Sequence, residues 1–168
     1  AAATRGEGLT WEGEALVATG RYDDAVARWQ RAIEATPRGE AWRARARAAT
    51  WLMRLGRRDE AREAANGLVD AFNDAAAGPA GARRLQDADF LTWVGVAARA
   101  LGAVRDANGA FNDALRVAPG RFETNLEQAE LMLTTEDYGP AGEALRAALA
   151  ANPHSARGLA LRARARLL

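Results

Sequence analysis

The sequence predicts an all-α protein, built as a solenoid of about four helix–turn–helix units with one further helix at the C-terminus. Three observations lead to this prediction. One short pattern of small, bulky and helix-breaking residues recurs four times along the 168 residues. Apolar residues within each copy stand three and four positions apart, which is the spacing of one face of an α-helix. Much of the 49% hydrophobic content is alanine, which suits closely packed helices better than a thick β-sandwich.

The repeated pattern is clearest around a small residue near the start of the second helix of each unit. These anchors are separated by 36, 46 and 34 residues and are Ala25, Ala61, Ala107 and Ala141. Four positions later stand the residues expected to fill the space between units, which are Trp29, Ala65, Phe111 and Leu145. Three positions further on stand Ala32, Leu68, Ala114 and Ala148. We expect all of them to be buried against neighbouring helices.

Residues that end helices flank the pattern on both sides. Five positions before the anchors stand Gly20, Gly56, Gly102 and Glu136, and glycine suits the left-handed residue that follows a helix. After the second helices stand Pro37, Asn73, Pro119 and Pro153, and proline stops a helix. In the first helices, the small residues that let the second helix approach are Gly13, Ala49, Gly95 and Ala129. Unit two departs most, with Ala65 in place of the aromatic residue and Asn73 in place of proline.

These four copies resemble the tetratricopeptide repeat, a helix–turn–helix unit of about 34 residues whose pattern ends in alanine, an aromatic residue and proline. The resemblance covers most of the chain and treats 1–168 as a single domain. It implies a right-handed superhelix whose inner groove is lined mainly by the first helix of each unit. It places the units at 6–39, 42–75, 88–121 and 122–155.

Two segments fall outside the four units. Residues 76–87 form an insertion broken at Pro79, for which we favour a tolerated surface loop or a longer preceding helix over a functional loop. Residues 156–168 form either a capping helix or the first helix of a truncated fifth unit. Because the chain opens without methionine, close to where a helix should start, we expect it to be a piece of a longer protein.

The residues that could carry catalysis argue against an enzyme. His154 follows Pro153 in a turn between units, and its neighbour Ser155 is too close in sequence for a nucleophile and its base. The acid pairs that open the second helices complement the helix dipole, and this explains them without a metal. They are Asp23–Asp24, Asp59–Glu60 and Glu136–Asp137. We therefore predict no catalytic residue, no metal site and no cofactor.

Charge and composition limit the classes of partner that the chain is expected to bind. A net charge of +1 provides no general attraction for nucleic acid, although arginines alternate with Trp42 and Trp51 between Ala41 and Arg58. Those arginines point in different directions on a helix, so we do not expect nucleic-acid binding there or at Arg162, Arg164 and Arg166. No apolar run approaches the ~20 residues of a membrane helix. The all-arginine basic content suggests GC-rich bacterial coding. We favour the cytoplasm and leave the periplasm open.

The resemblance also implies which side chains face the groove. It assigns this role to Glu7, Thr10, Glu14 and Val17 in unit one; Arg43, Ala46, Thr50, Met53 and Arg54 in unit two; Asp89, Thr92, Val96 and Arg99 in unit three; and Glu123, Leu126, Glu130 and Leu133 in unit four. The lysine and asparagine with which some members of the family grip a terminal carboxylate are absent from these positions. Trp11 and Trp93 occupy equivalent places, either as anchors for a ligand or packed against neighbouring turns.

The sequence therefore predicts a non-catalytic module that binds a segment of another protein in its groove, within a larger bacterial scaffold, assembly factor or regulator. Because arginines cluster in the middle units, we expect that segment to be acidic at its centre, since the arginine fork pairs well with carboxylates. The alternative is a structural spacer, or a segment that dimerises through the apolar and basic C-terminal helix, LALRARARLL.

Overall fold

A computed structural model describes residues 2–36 and 40–167, apart from the side chains of residues 2–4 and 80. Pro37 lies outside the described residues. The described part is helical and contains no strand, which confirms the predicted all-α class. Its helices are α1 Ala2–Ala18, α2 Tyr22–Ala35, α3 Trp42–Arg54, α4 Arg58–Ala76, α5 Ala88–Ala100, α6 Val104–Val117, α7 Phe122–Thr134, α8 Tyr138–Ala151 and α9 Ala156–Ala165.

The helices pack as successive antiparallel pairs. Helix α1 packs against α2, α3 against α4, α5 against α6, and α7 against α8, while α9 contacts both α7 and α8. Neighbouring pairs are joined chiefly by α2 with α3, α3 with α5, and α6 with α7. This stacking confirms the predicted solenoid of helix–turn–helix units with an additional C-terminal helix.

The turn inside each unit has the predicted left-handed residue. Gly20, Gly56 and Gly102 have φ values of 77°, 80° and 80°. In the first of these turns the N–H of Arg21 donates to the carbonyl of Leu16 at 3.0 Å, which closes the end of α1. Glu136 takes the same place in unit four with a φ of 61°, so one non-glycine residue adopts a backbone conformation that usually favours glycine.

In units one and three, a small residue on the first helix accommodates a bulky aromatic side chain of the second. A Cβ on Gly13 would lie 2.4 Å from the indole of Trp29, and one on Gly95 would lie 2.6 Å from the ring of Phe111. Both rings are fully buried. The indole N–H of Trp29 also donates to the carbonyl of Thr10 at 3.1 Å, so this close approach leaves no polar atom unsatisfied on the ring. The four anchor alanines are likewise fully buried.

Unit two differs from the others where its sequence does. Asn73 stands where proline stands in the other units, and α4 therefore continues through Asn73 to Ala76. Two short 3-10 turns, Pro79–Gly81 and Arg84–Gln86, then lead back to α5. The carboxylate of Asp87 accepts hydrogen bonds from the N–H groups of the first turn of α5, so the end of the insertion caps that helix. In the described part of the chain, no helix is long and apolar enough to cross a membrane.

Candidate functional site

The inner side of the first helices carries a group of ion pairs centred on one buried carboxylate. Glu127 of α7 is 1% exposed and receives guanidinium groups from three other helices. Arg47 of α3 donates to its Oε1 at 3.1 Å, Arg99 of α5 to its Oε2 at 2.6 Å, and Arg157 of α9 to its Oε1 at 2.6 Å. Helices α3, α5 and α9 are thus all connected to α7 through the side chain of Glu127.

Two further glutamates extend this group. Glu130, one turn along α7, pairs with Arg99 at 3.1 Å, with Arg157, and at 3.5 Å with Arg54. Glu14 of α1 accepts from Arg47 at 2.7 Å and lies 3.4 Å from Arg43. We call this set the glutamate–arginine cluster. It consists of Glu14, Glu127, Glu130, Arg43, Arg47, Arg54, Arg99 and Arg157.

The cluster keeps its buried carboxyl groups ionised. Burial alone would raise the pKa of Glu127, but the guanidinium groups of Arg47, Arg157 and Arg99 more than offset it and hold that pKa well below its ordinary value. The pKa of Glu130 is also lowered, because the attraction of Arg157 and Arg99 exceeds the effects of burial and of nearby Glu127. Arg157 is half-buried, but the same two carboxylates raise its pKa. These groups therefore stay charged at neutral pH.

Two cavities open on either side of this cluster. The first, which we call the arginine cavity, has a volume of about 220 Å³ and is lined by Arg47, Arg54, Arg99 and Arg157 with Glu14 and Glu130. The second, which we call the entrance cavity, has a volume of about 440 Å³ and lies between α1, the start of α3 and the start of α5. Its lining includes Glu7, Trp11, Glu40, Arg43, Asp89 and Arg121.

Several of the predicted groove residues have accessible side chains. Glu7 and Arg54 are exposed, and the others are half-buried. The half-buried ones are Glu14, Val17, Arg43, Thr50, Met53, Asp89, Arg99, Glu123 and Glu130. The structure brings Glu14, Arg43, Arg54, Arg99 and Glu130 together in the cluster.

Other predicted groove residues are buried, and for these the expectation of ligand contact is corrected. Thr92 is completely buried, and its hydroxyl lies 2.6 Å from that of Thr124. Thr10 bonds to the carbonyl of Gly6 in its own helix. Thr92 therefore faces the neighbouring first helix α7, whereas Thr10 lies in the wall of the entrance cavity. The buried set is Thr10, Ala46, Thr92, Val96, Leu126 and Leu133.

The two tryptophans proposed as anchors have different environments. Trp93 is 1% exposed and donates its indole N–H to Asp89 at 2.9 Å, so of the two alternatives for this residue the packing role holds and the ligand anchor does not. Trp11 is 50% exposed, and the guanidinium of Arg43 lies 3.9 Å from the centre of its ring. Trp11 is therefore accessible to a ligand while one face of its ring is held in place.

Sequence reasoning missed the centre of the cluster. Glu123, Glu127 and Glu130 stand at positions i, i+4 and i+7 of α7 and share one helix face, which was a usable signal for Glu127. No equivalent signal existed for Arg157, because its partner depends on how closely α9 returns to α7. The stretch around α3 in which arginines alternate with tryptophans makes contacts within the protein. Arg43 and Arg47 form ion pairs in the cluster, and Trp51 stacks on Tyr22 with the ring centres 4.6 Å apart.

The remaining candidate for chemistry has a structural role. Ser155 accepts a hydrogen bond from the N–H of Gly158 at 3.0 Å and so caps α9, while His154 beside it is exposed. Among residues 2–36 and 40–167, no three metal-binding side chains are grouped so that they could hold an ion.

Comparison with known proteins identifies the fold. Neither a protein-family model nor a curated protein matches the sequence. The structure is similar to TTC0263, a tetratricopeptide-repeat protein of Thermus thermophilus, at 22% identity and a TM-score of 0.59, covering 95% of this chain and 89% of that one. It is similar to MamA at 15% identity and a TM-score of 0.50, covering 91% and 81%. The resemblance to tetratricopeptide-repeat proteins is confirmed at the level of the fold.

Proposed function

Starting from the tetratricopeptide-repeat fold, we propose that the chain is a non-catalytic module that binds a segment of another protein along its inner face. In this proposal it belongs to a larger bacterial scaffold, assembly factor or regulator. The partner segment presents at least one carboxylate to the arginine cavity. Arg54 is the residue that meets it, with Thr50 and Trp51 beside it on α3.

The observation that carries this proposal is the unequal number of charges around the arginine cavity. Four arginines and two glutamates line it, and three of those arginines also pair with buried Glu127, so four positive charges meet three negative ones. Arg54 is the least committed of these arginines, because half of its side chain is exposed, its contact with Glu130 is 3.5 Å long, and its guanidinium otherwise lies over Trp51 at 4.7 Å from the ring centre. Its guanidinium can therefore turn to a new carboxylate with little loss. Arginine binds carboxylates with two parallel hydrogen bonds, so the cavity favours an acidic segment.

The ion pairs of the cluster determine which arginines remain free to bind a carboxylate of the partner. Arg99 was expected to contact the partner, but both of its terminal nitrogens already bond to α7, at the carbonyl and carboxylate of Glu127 and at Glu130. Reversing its charge would place a second carboxylate beside buried Glu127 and destabilise the fold. Arg54 is the residue whose substitution tests binding and leaves the fold intact.

The test is selection of binders from a library of random peptides displayed on phage. We expect the enriched sequences to share acidic residues, and a synthetic consensus peptide to bind Arg54→Glu about tenfold or more weakly than the native chain. The matched control is Arg62→Glu on α4, where the side chain is 62% exposed and also pairs with one carboxylate, Asp59 at 2.9 Å. That control should bind normally.

Two results would overturn the proposal. One is that no peptide is enriched over an unrelated helical protein. The other is that the consensus peptide binds the Arg54→Glu and Arg62→Glu variants equally well, since the arginine cavity would then have no part in recognition. Circular dichroism of both variants establishes beforehand that each is folded.

Self-association is the second candidate, and one surface favours it. Leu159 on α9 is 39% exposed and Leu167 just beyond it is 87% exposed. A second copy that covered both would bury apolar surface. Light scattering over a range of concentrations tests this idea: a dimer that Leu159→Glu dissociates supports it, and a monomer at every concentration contradicts it.

A further inference from the structure

We propose that the entrance cavity is a binding site for a cationic side chain, arginine or lysine, of the partner. The inference rests on the proposed function, because it concerns the same partner segment at the neighbouring end of the inner face. It depends on a different set of residues, on α1 and at the start of α3.

Negatively charged side chains outnumber positively charged ones in the lining of the entrance cavity, whereas the reverse holds in the arginine cavity. Three carboxylates and two guanidinium groups line the entrance cavity. Asp89 is already bound, because it pairs with Arg121 and accepts the indole N–H of Trp93. Arg43 is directed to Glu14. Within the described part of the chain, the charges of this cavity left without a counter-charge are those of Glu7 and Glu40.

Glu7 and Glu40 are both available to a ligand. Each is exposed, and the carboxylate of neither makes a hydrogen bond or ion pair with any residue in the part of the chain that the structure describes. They stand on different elements, Glu7 on α1 and Glu40 just before α3. Two exposed carboxylates that line one cavity of about 440 Å³ from different elements suit a positive group bound in it.

Trp11 provides the apolar part of the site. Its exposed indole lines the cavity, and Arg43 holds the ring by stacking on it at 3.9 Å from the centre. Lysine and arginine cover apolar surface with their methylene chains while the charged end stays near polar groups. A cationic side chain can therefore lie along Trp11 with its charged end near Glu7 and Glu40.

The two cavities together give the inner face a direction. A partner segment would place a basic residue beside α1 and an acidic residue beside Arg54. Glu14 and Arg43, which contact each other, lie between the two sites. Charge pairing of this kind fixes the register of a bound segment and selects against partners with the reverse arrangement.

The test uses two capped peptides, triarginine and triglutamate, titrated into the 15N-labelled chain and followed by NMR. We expect triarginine to shift the indole signal of Trp11 and the amides of Glu7 and Glu40. In a Glu7→Gln/Glu40→Gln variant its affinity should fall about tenfold, as expected for two exposed ion pairs. The matched control is Glu34→Gln/Glu63→Gln, which removes two exposed carboxylates from a separate cleft between α2 and α4.

The two peptides separate this inference from the proposed function. If triarginine shifts no signal at the entrance cavity, or binds both glutamine variants alike, the inference is overturned. Triglutamate reports on the proposed function independently: shifts at Thr50, Trp51 and Arg54 support it, and their absence contradicts it.

Discussion

Glu127 shows how one buried charge can be stabilising or costly depending on its partners. Removing a carboxylate from water carries a penalty of several kcal/mol, which only well-placed counter-charges and hydrogen bonds repay. Glu127 receives hydrogen bonds from three guanidinium groups and is 1% exposed. Those arginines are themselves only partly exposed, so the cost of removing their charges from water is offset by the same carboxylate. The carboxylate and its arginines therefore form one unit, and no single member can be removed cheaply.

The first prediction follows from this dependence. Glu127→Gln keeps the shape of the side chain but leaves Arg47, Arg99 and Arg157 with one negative charge fewer. We expect the free energy of unfolding in urea to fall by about 3 kcal/mol. Glu143→Gln is the control, since Glu143 is 76% exposed and its one ion pair, with Arg146, is long at 3.8 Å. This substitution should lower the free energy of unfolding by less than about 0.5 kcal/mol. Equal small losses in both variants would contradict the buried-cluster account.

The second prediction concerns pH. The folded-state pKa of Glu127 lies below its ordinary value of 4.5, so its stabilising contribution is complete above that value and is lost as the pH falls through the folded-state pKa. We therefore expect the stability difference between the native chain and Glu127→Gln to be constant near neutral pH. It should shrink as the pH is lowered well below 4.5. A difference that grew with acid would mean that Glu127 is protonated in the folded protein.

At the scale of helices, units one and three are held by a bulky residue of the second helix resting on a small residue of the first. In unit three Phe111 rests on Gly95, and a Cβ there would lie 2.6 Å from the ring. Glycine within a helix costs ~0.5–1 kcal/mol relative to alanine, so its presence indicates that close approach is worth more than helix propensity. Gly109 on the exposed side of α6 has no such neighbour.

The third prediction compares these two glycines. Gly95→Ala should lower the free energy of unfolding by about 1–3 kcal/mol, because the buried ring of Phe111 must shift. Gly109→Ala adds a methyl group with nothing within 4 Å and should raise stability by ~0.5–1 kcal/mol. Urea unfolding of the two single variants measures both. If Gly95→Ala also raised stability, helix propensity alone would account for both variants, and the close approach of Phe111 to Gly95 would not be a constraint.

Helix pairing and turns could be predicted from the sequence because they depend on residues close together in the chain. Gly20, Gly56 and Gly102 follow from the backbone conformation that ends a helix, and the anchor alanines follow from helical spacing. The depth of the groove could not be predicted. Trp93 has a position equivalent to that of exposed Trp11 in unit one, but α3 and α7 pack beside α5, and Trp93 is buried. Its environment is set by curvature between units, which a repeat alignment does not contain.

Across the whole molecule, the cluster makes contacts that a simple row of repeats would lack. Stability in repeat arrays is approximately a sum of unit and nearest-neighbour terms. Here the contact between Arg47 of α3 and Glu127 of α7 passes over the helix pair α5 and α6. Arg157 of α9 joins the same carboxylate from the other end. The solenoid is thus curved tightly enough for non-adjacent units to share an ion pair.

The fourth prediction tests whether that contact couples the units energetically. In a double-mutant cycle of Arg47→Gln and Glu127→Gln, we expect an interaction energy of about 1–3 kcal/mol between helices that belong to non-neighbouring pairs. The same cycle on the exposed pair Arg62 and Asp59 should give less than about 0.5 kcal/mol. Additive losses at Arg47 and Glu127 would mean that each neighbouring interface carries the stability alone. A coupling of the expected size would mean that the curvature of the inner face, and with it the spacing of the two cavities, is fixed by the ion pairs before any partner binds.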